Sequence, residues 1–366
     1  MKLAWKEIRH QVKKFLLVEI LIFLMMFMVI FLSGLTQGLG RATSAQIDNY
    51  GDVQYILTED AEGIIPFSSL EDKQREAVNN LADQKALPIA ISRSGISFEA
   101  SEGKKDVTYF VVENDSFLAP KATDGENLSS QVGGIVLDSS FEAKGLKIGD
   151  IVIDSATEYT LTILGFTKDA MYEHSNIGFI TPATFEELKK VSNPQYEWQP
   201  QAYVLTETLS NNDKTSLEDV SLAVLSKQEV ISKIPGYAAE QLTLTTITWV
   251  LILVSAAILG VFFYILTLQK LKSFGVLKAI GMSMGEITRI QLVQIFILGL
   301  IGVSLGAFAA WSMAQFLPSS MPFYLKNQDI VMVSASFIAI SVLSGLLSVW
   351  KIRQVDPVHV IGGSED

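Results

Sequence analysis

Residues 15–35 read FLLVEILIFLMMFMVIFLSGL and contain one charged side chain, Glu19. A hydrocarbon core about 30 Å thick requires roughly 20 apolar residues in a helix, so this stretch is long enough to cross a membrane. A surface helix of a soluble protein would place polar residues at every third or fourth position, and this stretch does not. It is also longer than the apolar run of a typical signal peptide and has no small-x-small cleavage site. The sequence therefore predicts a retained first transmembrane helix.

Three more apolar blocks satisfy the same length criterion, at about residues 242–268, 290–313 and 330–350. Of the 366 residues, 49% are hydrophobic, and the mean hydropathy is +0.34. These values are high for a soluble protein, and the apolar residues are concentrated in the four blocks. The pattern predicts four transmembrane helices.

The basic residues predict the orientation of these helices. Cytoplasmic loops carry an excess of Lys and Arg. The segment between the first and second blocks, residues 38–240, holds 32 acidic and 16 basic residues, which favours the outer side. Both termini are therefore predicted to be cytoplasmic. The basic residues that flank the inner ends are Lys2, Lys6, Arg9, Lys13, Lys14, Lys270, Lys272, Lys278, Arg289, Lys351 and Arg353.

The outer segment is long enough to form a folded domain rather than a loop. Apolar residues at helical spacing predict a helix over residues 72–87, and runs rich in β-branched residues predict several strands. Residues 184–191 and 217–232 are predicted to be helices, and the polar cluster at 211–213 an exposed loop. The predicted strands are 107–112, 134–137, 151–153 and 159–164. The predicted fold class is therefore a membrane α-helical protein with a mixed α+β extracytoplasmic domain between spans one and two.

Several kinds of chemistry are excluded by what the sequence lacks. There is no cysteine, so neither disulfides nor cysteine-based metal or haem sites are predicted. The net charge of −11 argues against binding nucleic acid, because such proteins are basic. No phosphate-binding G-x-x-x-x-G-K-[ST] motif and no H-E-x-x-H motif occur. We therefore expect no enzyme activity and no intrinsic cofactor.

The stretch LKSFGVLKAIGMSMGEI, residues 271–287, lies between spans two and three. It predicts a short amphipathic helix with Phe274, Leu277 and Ile280 on one face. Gly281 is expected to end this helix, and a serine-containing turn to begin the next. Such a helix at the inner membrane surface either docks into a groove on a cytoplasmic partner or simply anchors the loop at the interface.

This segment carries a resemblance to a known family. FGVLKAIGMS, at residues 274–283, resembles the coupling segment of FtsX/MacB-type ABC permeases, and KIRQVDPVHVI, at 351–361, is similar to their C-terminal ending. The resemblance implies a homodimer in the lipid bilayer and two copies of a separate ABC ATPase subunit that binds the ATP. It also implies that the residues coupling to the ATPase are Phe274, Leu277, Lys278, Ile280 and Gly281.

Within this group, the sequence resembles most the haem-efflux permeases of Gram-positive bacteria (the HrtB type). The resemblance rests on MKLAWKEI at 1–8, SGLTQGL at 33–39, GFTKDAMYEHSN at 165–176 and IPGYAAEQ at 234–241. It implies haem as a substrate and a role in haem handling for the tyrosines in the last two motifs. Without cysteine, haem iron would be held by Tyr, His, Met or a carboxylate. The candidate substrate-binding residues are therefore Tyr237, Tyr172, Glu240, Met28 and Met25.

Each candidate also has a purely structural interpretation. A tyrosine such as Tyr237 at a membrane interface is typical of an aromatic belt. Glu240 is a favourable charge at a helix N-terminus, and Tyr172 could be an exposed loop aromatic. Met25 and Met28 lie three residues apart on one helix face, where ordinary packing is the alternative.

Glu19 is a further candidate, because a carboxylate within a span is often functional. It lies close to the inner end of the first span, so we expect its side chain to reach the aqueous surface beside Lys13 or Lys14.

The sequence therefore predicts the permease subunit of an ABC-type efflux transporter in the plasma membrane, exporting haem or a similar amphipathic substrate taken from the membrane. Two alternatives stay open: an FtsX-like transmitter that controls an extracellular cell-wall hydrolase, and a permease for antimicrobial peptides or lipids. The predicted segments are an amphipathic cytoplasmic N-terminus at 1–14, span one at 15–37, the outer domain at 38–240, span two at 241–268, the coupling segment at 269–289, span three at 290–314, an outer loop at 315–328, span four at 329–350 and a cytoplasmic tail at 351–366.

Overall fold

The computed structural model describes residues 9, 12–81, 86–98, 103–317 and 321–352. The chain divides into two compact units. Met1–Gly38 and Leu242–Asp366 form the first, here called the membrane unit, and Leu39–Gln241 forms the second, here called the outer domain. The predicted tail beyond residue 352 and most of the predicted amphipathic N-terminus lie outside the described residues.

The secondary structure is as follows, in chain order. The helices are α1 (Val12–Asn49), α2 (Asp72–Asn79), α3 (Pro182–Lys190), α4 (Asn211–Glu218), α5 (Lys227–Lys233), α6 (Tyr237–Gln269), α7 (Leu271–Ala279), α8 (Met284–Ala314) and α9 (Asn327–Ile352). The strands are β1 (Gln54–Thr58), β2 (Leu87–Ser97), β3 (Lys105–Val111), β4 (Asp124–Gly125), β5 (Gly134–Asp138), β6 (Ile151–Asp154), β7 (Thr160–Thr167), β8 (Met171–Tyr172), β9 (Ser175–Ile180), β10 (Ala202–Leu205) and β11 (Leu222–Ser226).

Among the described residues, the membrane unit contains four helices that are long and apolar enough to cross a bilayer, which confirms the predicted number of spans. Helices α1 and α8 approach each other closely at two glycines spaced four residues apart. A Cβ atom on Gly302 would lie 2.6 Å from Ile22 Cγ2, and one on Gly306 would lie 2.9 Å from Met26 Cβ. Small residues at this spacing allow two membrane helices to pack backbone against backbone.

The outer domain is built on one mixed sheet of strand order β11-β1-β10-β2-β3-β9-β5-β7-β4, with β6 pairing β2 and β7, and β8 pairing β9. Most neighbouring strands are antiparallel, whereas β3 with β9 and β5 with β7 are parallel. Apolar side chains pack in separate clusters, of which one includes Tyr55, Phe110 and Tyr172, and another Tyr109, Phe141 and Val152. This architecture confirms the predicted mixed α+β domain between spans one and two.

The region from 211 to 232 differs from the sequence prediction. Residues 217–232, predicted as one helix, include strand β11, which pairs antiparallel with β1 from Gln54↔Ser226 to Thr58↔Leu222. Residues 211–213, predicted as a loop, form the first turn of α4, where the Ser210 side chain accepts a hydrogen bond from the Asp213 N–H. The strand forms because the edge of β1 supplies backbone partners, and these are distant in sequence.

Candidate functional site

Strands β8 and β9 form a hairpin whose tip is Glu173 and His174. Tyr172 pairs with Ser175 across this two-residue turn. Both tip residues have positive φ, 48° for Glu173 and 58° for His174. This is the backbone of a tight hairpin turn that normally carries Asn-Gly or Asp-Gly. This left-handed backbone conformation costs a residue with a Cβ roughly 1 kcal/mol or more, so the surrounding contacts must hold the turn in place.

Those contacts come from the C-terminal part of α1. The Glu173 N–H donates to the Thr43 carbonyl at 3.0 Å, and the His174 N–H donates to the Ala42 carbonyl at 3.0 Å. The Thr43 hydroxyl lies 3.2 Å from His174 Nε2. The hairpin tip is therefore fixed on one turn of α1 by backbone and side-chain hydrogen bonds.

The same imidazole reaches the start of α6. His174 Nε2 lies 3.3 Å from Glu240 Oε2, and Glu240 is in the first turn of that helix. The hairpin tip thus contacts both chain segments through which the outer domain continues into the spans, at residues 42–43 and at residue 240. Glu240 therefore lies at a helix N-terminus, as the sequence predicts, and it also contacts His174.

Tyr172 is buried, with 2% of its surface exposed, so its interpretation as an exposed loop aromatic is wrong. Its ring packs edge-to-face on Phe110 at a centroid distance of 5.5 Å. Burial raises the pKa of its phenol well above the usual range. Tyr172 therefore contributes a neutral phenol to the interior of the outer domain.

Tyr237 begins α6 and is half-buried against the hydrophobic cluster to which Tyr172 belongs. The structure thus brings both predicted tyrosines to one core, although they lie far apart in the sequence. Their roles in substrate binding stay predictions.

The two methionines in α1 differ in their surroundings. Met28 is 51% exposed, whereas Met25 is partly buried against the core of the membrane unit. Met26, between them, is fully buried. Met28 is therefore the more accessible thioether of the predicted pair.

Glu19 does not reach the aqueous surface. Both carboxylate oxygens are buried and have no hydrogen-bond partner among the described residues. A Cβ on Gly302 would lie 3.3 Å from Glu19 Oε1, so the side chain is directed toward α8. A side chain extended to water would be exposed, so the prediction that Glu19 reaches the surface is wrong.

The coupling segment forms helix α7, which ends as the sequence predicts. Gly281 has φ +97°, and its N–H donates to the Lys278 carbonyl at 3.0 Å. A left-handed residue of this kind terminates a helix. Ser283 then caps α8: its hydroxyl accepts a hydrogen bond from the Glu286 N–H, and the Glu286 carboxylate accepts one from the Ser283 N–H. The backbone is thereby fixed on both sides of the turn.

The predicted apolar face of α7 is only partly exposed. Phe274 and Leu277 are half-buried, whereas Lys278 and Gly281 are exposed and Ile280 is 73% exposed. Val276, four residues before Ile280, is 60% exposed. The exposed apolar pair on α7 is therefore Val276 and Ile280. The four-residue spacing between them could have identified Val276 from the sequence.

The sequence indicated Lys270 only as a basic residue flanking an inner end, whereas this side chain, just before α7, is buried, with 6% of its surface exposed. Its ammonium donates to Gln294 Oε1 at 2.7 Å and lies 5.1 Å from the centroid of the Phe15 ring. The residue that precedes α7 is thus joined to α8 and α1. Its hydrogen bond depends on packing between helices, so sequence spacing could not reveal it.

Comparison with known proteins gives a family match within the membrane unit and relatives that cover the whole chain. Residues 245–357 match the family described as FtsX-like permease C-terminal. Over 366 residues, the chain is 28% identical to the hemin transport system permease protein HrtB of Staphylococcus haemolyticus (strain JCSC1435), covering 100% of both chains. A protein of that name from Staphylococcus epidermidis (strain ATCC 12228 / FDA PCI 1200) is also 28% identical, with the same coverage.

Among solved structures, the extracellular domain of the noncanonic ABC-type transporter YknZ from Gram-positive bacteria matches 47% of this chain and 99% of its own length. The sequence identity is 11% and the TM-score 0.34. The family match covers three of the spans and the coupling segment, and the relatives cover the whole chain. Residues 245–357 therefore match an FtsX-like permease domain, and the chain is a multi-pass protein of the plasma membrane that is similar over its whole length to HrtB.

Proposed function

We propose that this chain is the permease subunit of an ABC-type efflux transporter that exports haem, or a similar amphipathic substrate taken from the membrane. The observation that carries the proposal is the similarity to hemin transport permeases over the whole length of both chains. The four spans supply a membrane path, and the outer domain supplies a folded unit between spans one and two.

The energy source in this proposal is a separate ATPase, bound by two copies of the chain in a homodimer. Helix α7 is the surface that would receive it. Ile280 and Val276 are exposed and apolar, and Lys278 next to them is exposed and basic. An apolar ridge with flanking charge suits insertion into a groove on a soluble partner. Lys270, through Gln294, would carry the movement of α7 into α8.

Substrate contacts are assigned to both units of the chain. Met28 and Met25 would line the path along span one, since a thioether accommodates a flat apolar ligand and can ligate iron. Tyr237 and Glu240 begin span two, and Tyr172 lies inside the outer domain. The hairpin at Glu173 and His174 would couple the outer domain to both spans, because it contacts α1 at residues 42–43 and α6 at Glu240.

The test is haem tolerance in cells. Deleting the gene for this chain is expected to make the source organism sensitive to haemin and to raise its cellular haem, and expression of the intact chain is expected to restore tolerance. Complex purified with its ATPase from haem-fed cells is expected to show a Soret band, which Tyr237→Ala weakens. Normal haemin tolerance after deletion, together with no haem spectrum, would exclude the proposal.

An FtsX-like transmitter that controls a cell-wall hydrolase is the second candidate, favoured by an apolar surface on the outer domain. Ile151 and Ile153 project from the same face of β6 and are 60% and 40% exposed. Exposed apolar side chains grouped together mark protein-docking surfaces. If transmission is the function, Ile151→Ser with Ile153→Ser would impair cell separation and leave haemin tolerance unchanged.

A further inference from the structure

The outer domain contains a cavity of about 560 Å³. Ligand cavities in proteins typically measure about 300–1,000 Å³, so this one suits a medium-sized organic molecule. One part of its wall is apolar and includes Pro66, Phe67 and Pro235. Phe67 is 69% exposed, which is unusual for a phenylalanine in a folded domain. The cavity therefore offers hydrophobic surface that the fold itself does not cover.

The rest of the wall is polar, and Arg93 is its permanent cation. Arg93 projects from β2 opposite Thr108 of β3, and its side chain is exposed. Among the described residues, no carboxylate oxygen lies within 4.0 Å of its guanidinium. An unpaired guanidinium beside an apolar wall is arranged to receive a carboxylate, which it binds through two parallel hydrogen bonds.

The two hairpin-tip residues complete the polar part of the wall. His174 Nε2 is already engaged by Thr43 and Glu240, so that nitrogen is not available to a ligand. Glu173 lies close enough to Arg93 to feel its charge, and burial, partly offset by Arg93 and His174, raises the pKa of Glu173. A ligand carboxylate bound at Arg93 would be repelled by the ionised form of Glu173, and the raised pKa of Glu173 limits this repulsion.

We propose that this cavity is a binding site for an amphipathic carboxylate, whose acid group binds the Arg93 guanidinium and whose hydrocarbon body lies on Pro66, Phe67 and Pro235. The inference rests on the proposed function in taking haem, with its two propionate groups, as the ligand. It adds a site in the outer domain that recognises the acid groups rather than the iron. Glu173 weakens binding in this site, which suits a carrier that must also release its cargo.

The test compares haemin with haemin dimethyl ester, in which both acid groups are masked. The full-length chain in phosphatidylcholine nanodiscs is titrated with each compound, and the Soret absorbance of empty nanodiscs is subtracted. Arg93→Ala is expected to raise the Kd for haemin roughly tenfold, the usual value of a charge-assisted hydrogen-bonded pair. The Kd for the ester should not change. Arg93→Lys should give an intermediate Kd for haemin, since a lysine keeps the positive charge but lacks the paired N–H donors of the guanidinium.

Two further variants sharpen the result. Glu173→Gln is expected to lower the Kd for haemin by roughly threefold and to leave that for the ester unchanged, because only the acid is repelled. Arg75→Ala is the matched control, since Arg75 pairs with Asp72 on α2 and does not line the cavity, and it should have no effect.

Three outcomes would overturn the inference. If Arg93→Ala leaves the haemin Kd unchanged, or weakens haemin and ester equally, the guanidinium does not bind the acid group; haem export then still stands if the intact chain binds haemin. If the intact chain binds no haemin and its deletion causes no haemin sensitivity, the proposed function fails together with the inference.

Discussion

His174 Nε2 lies 3.3 Å from Glu240 Oε2 and 3.2 Å from the Thr43 hydroxyl, so one imidazole contacts both α6 and α1 within the outer domain. Its neighbour Glu173 and His174 itself hold left-handed backbone conformations at the hairpin tip. Strained turns of this type persist where the surrounding structure determines them, and they are frequent at functional positions.

The first prediction concerns this contact. His174→Gln and Glu240→Gln are each expected to reduce haemin-stimulated ATPase activity of the complex. The double variant should lose no more of this activity than the more impaired single variant. Because both side chains are partly exposed, the coupling energy should be small, roughly 0.5 kcal/mol. The measurement is a double-mutant cycle on ATPase stimulation. Fully additive losses would mean that the two side chains act independently.

The second prediction concerns Asp154, which is fully buried in the outer domain. Its Oδ2 accepts hydrogen bonds from Ser94 at 2.5 Å and Tyr109 at 2.9 Å. Burial alone would raise the pKa of Asp154, but hydrogen bonds from Ser94, Thr157 and Tyr109 outweigh burial and hold the pKa below its usual value of 3.8.

A lowered folded-state pKa means that the ionised carboxylate stabilises the fold above pH 3.8, and that this stability is lost as the pH falls through the folded-state pKa. Asp154→Asn should therefore lower the free energy of unfolding by about 1–3 kcal/mol at neutral pH. The difference from the wild type should shrink in acid. Thermal melting of the full-length chain followed by tryptophan fluorescence measures this, with the exposed Asp106→Asn as control. A difference that grows in acid would contradict the assignment.

The third prediction concerns the crossing of α1 and α8. A Cβ on Gly306 would lie 2.9 Å from Met26 Cβ and 3.0 Å from the Phe23 carbonyl oxygen, and a backbone atom cannot move aside easily. Gly306→Ala is therefore expected to lower the melting temperature of the detergent-solubilised protein by several degrees, consistent with overpacking of about 1–3 kcal/mol. Gly260→Ala is the matched control, because its Cβ would meet only Ser344 Oγ at 3.9 Å. Equal melting of the two variants would contradict the close packing.

The fourth prediction concerns the coupling helix. Ile280→Asp places a charge on an exposed apolar position outside the core of the membrane unit, so membrane insertion and melting temperature should stay normal. Association with the ATPase should weaken by at least tenfold, since a buried unpaired charge costs more than 1.4 kcal/mol at an interface. Co-purification and ATPase stimulation measure this. Ser273→Asp, an exposed polar position on the same helix, serves as the control for added charge.

If Ile280→Asp retained full association, the partner would not dock on this face of α7. Leu277→Asp is less informative, because Leu277 is half-buried and its substitution also disturbs packing within the membrane unit.

The sequence alone determined the four spans, because crossing a bilayer requires a long apolar run, and a helix satisfies the backbone hydrogen bonds of such a run within the run itself. It also determined the end of α7 at Gly281 and the restart at Ser283, since both depend on local backbone chemistry. The four strands that the sequence predicts overlap β3, β5, β6 and β7, for example residues 134–137 within β5, whereas the other seven strands were not predicted.

Only the tertiary structure decided what depends on partners distant in sequence. Strand β11 replaced a predicted helix because β1 offers it an edge to pair with, and the buried position of Glu19 depends on space left by Gly302 on another helix. The contact of His174 with Thr43 and Glu240, and the cavity beside Arg93, join side chains from separate parts of the chain. Local propensity contains no information on such contacts, because their energy is gained only when the chain has closed long loops.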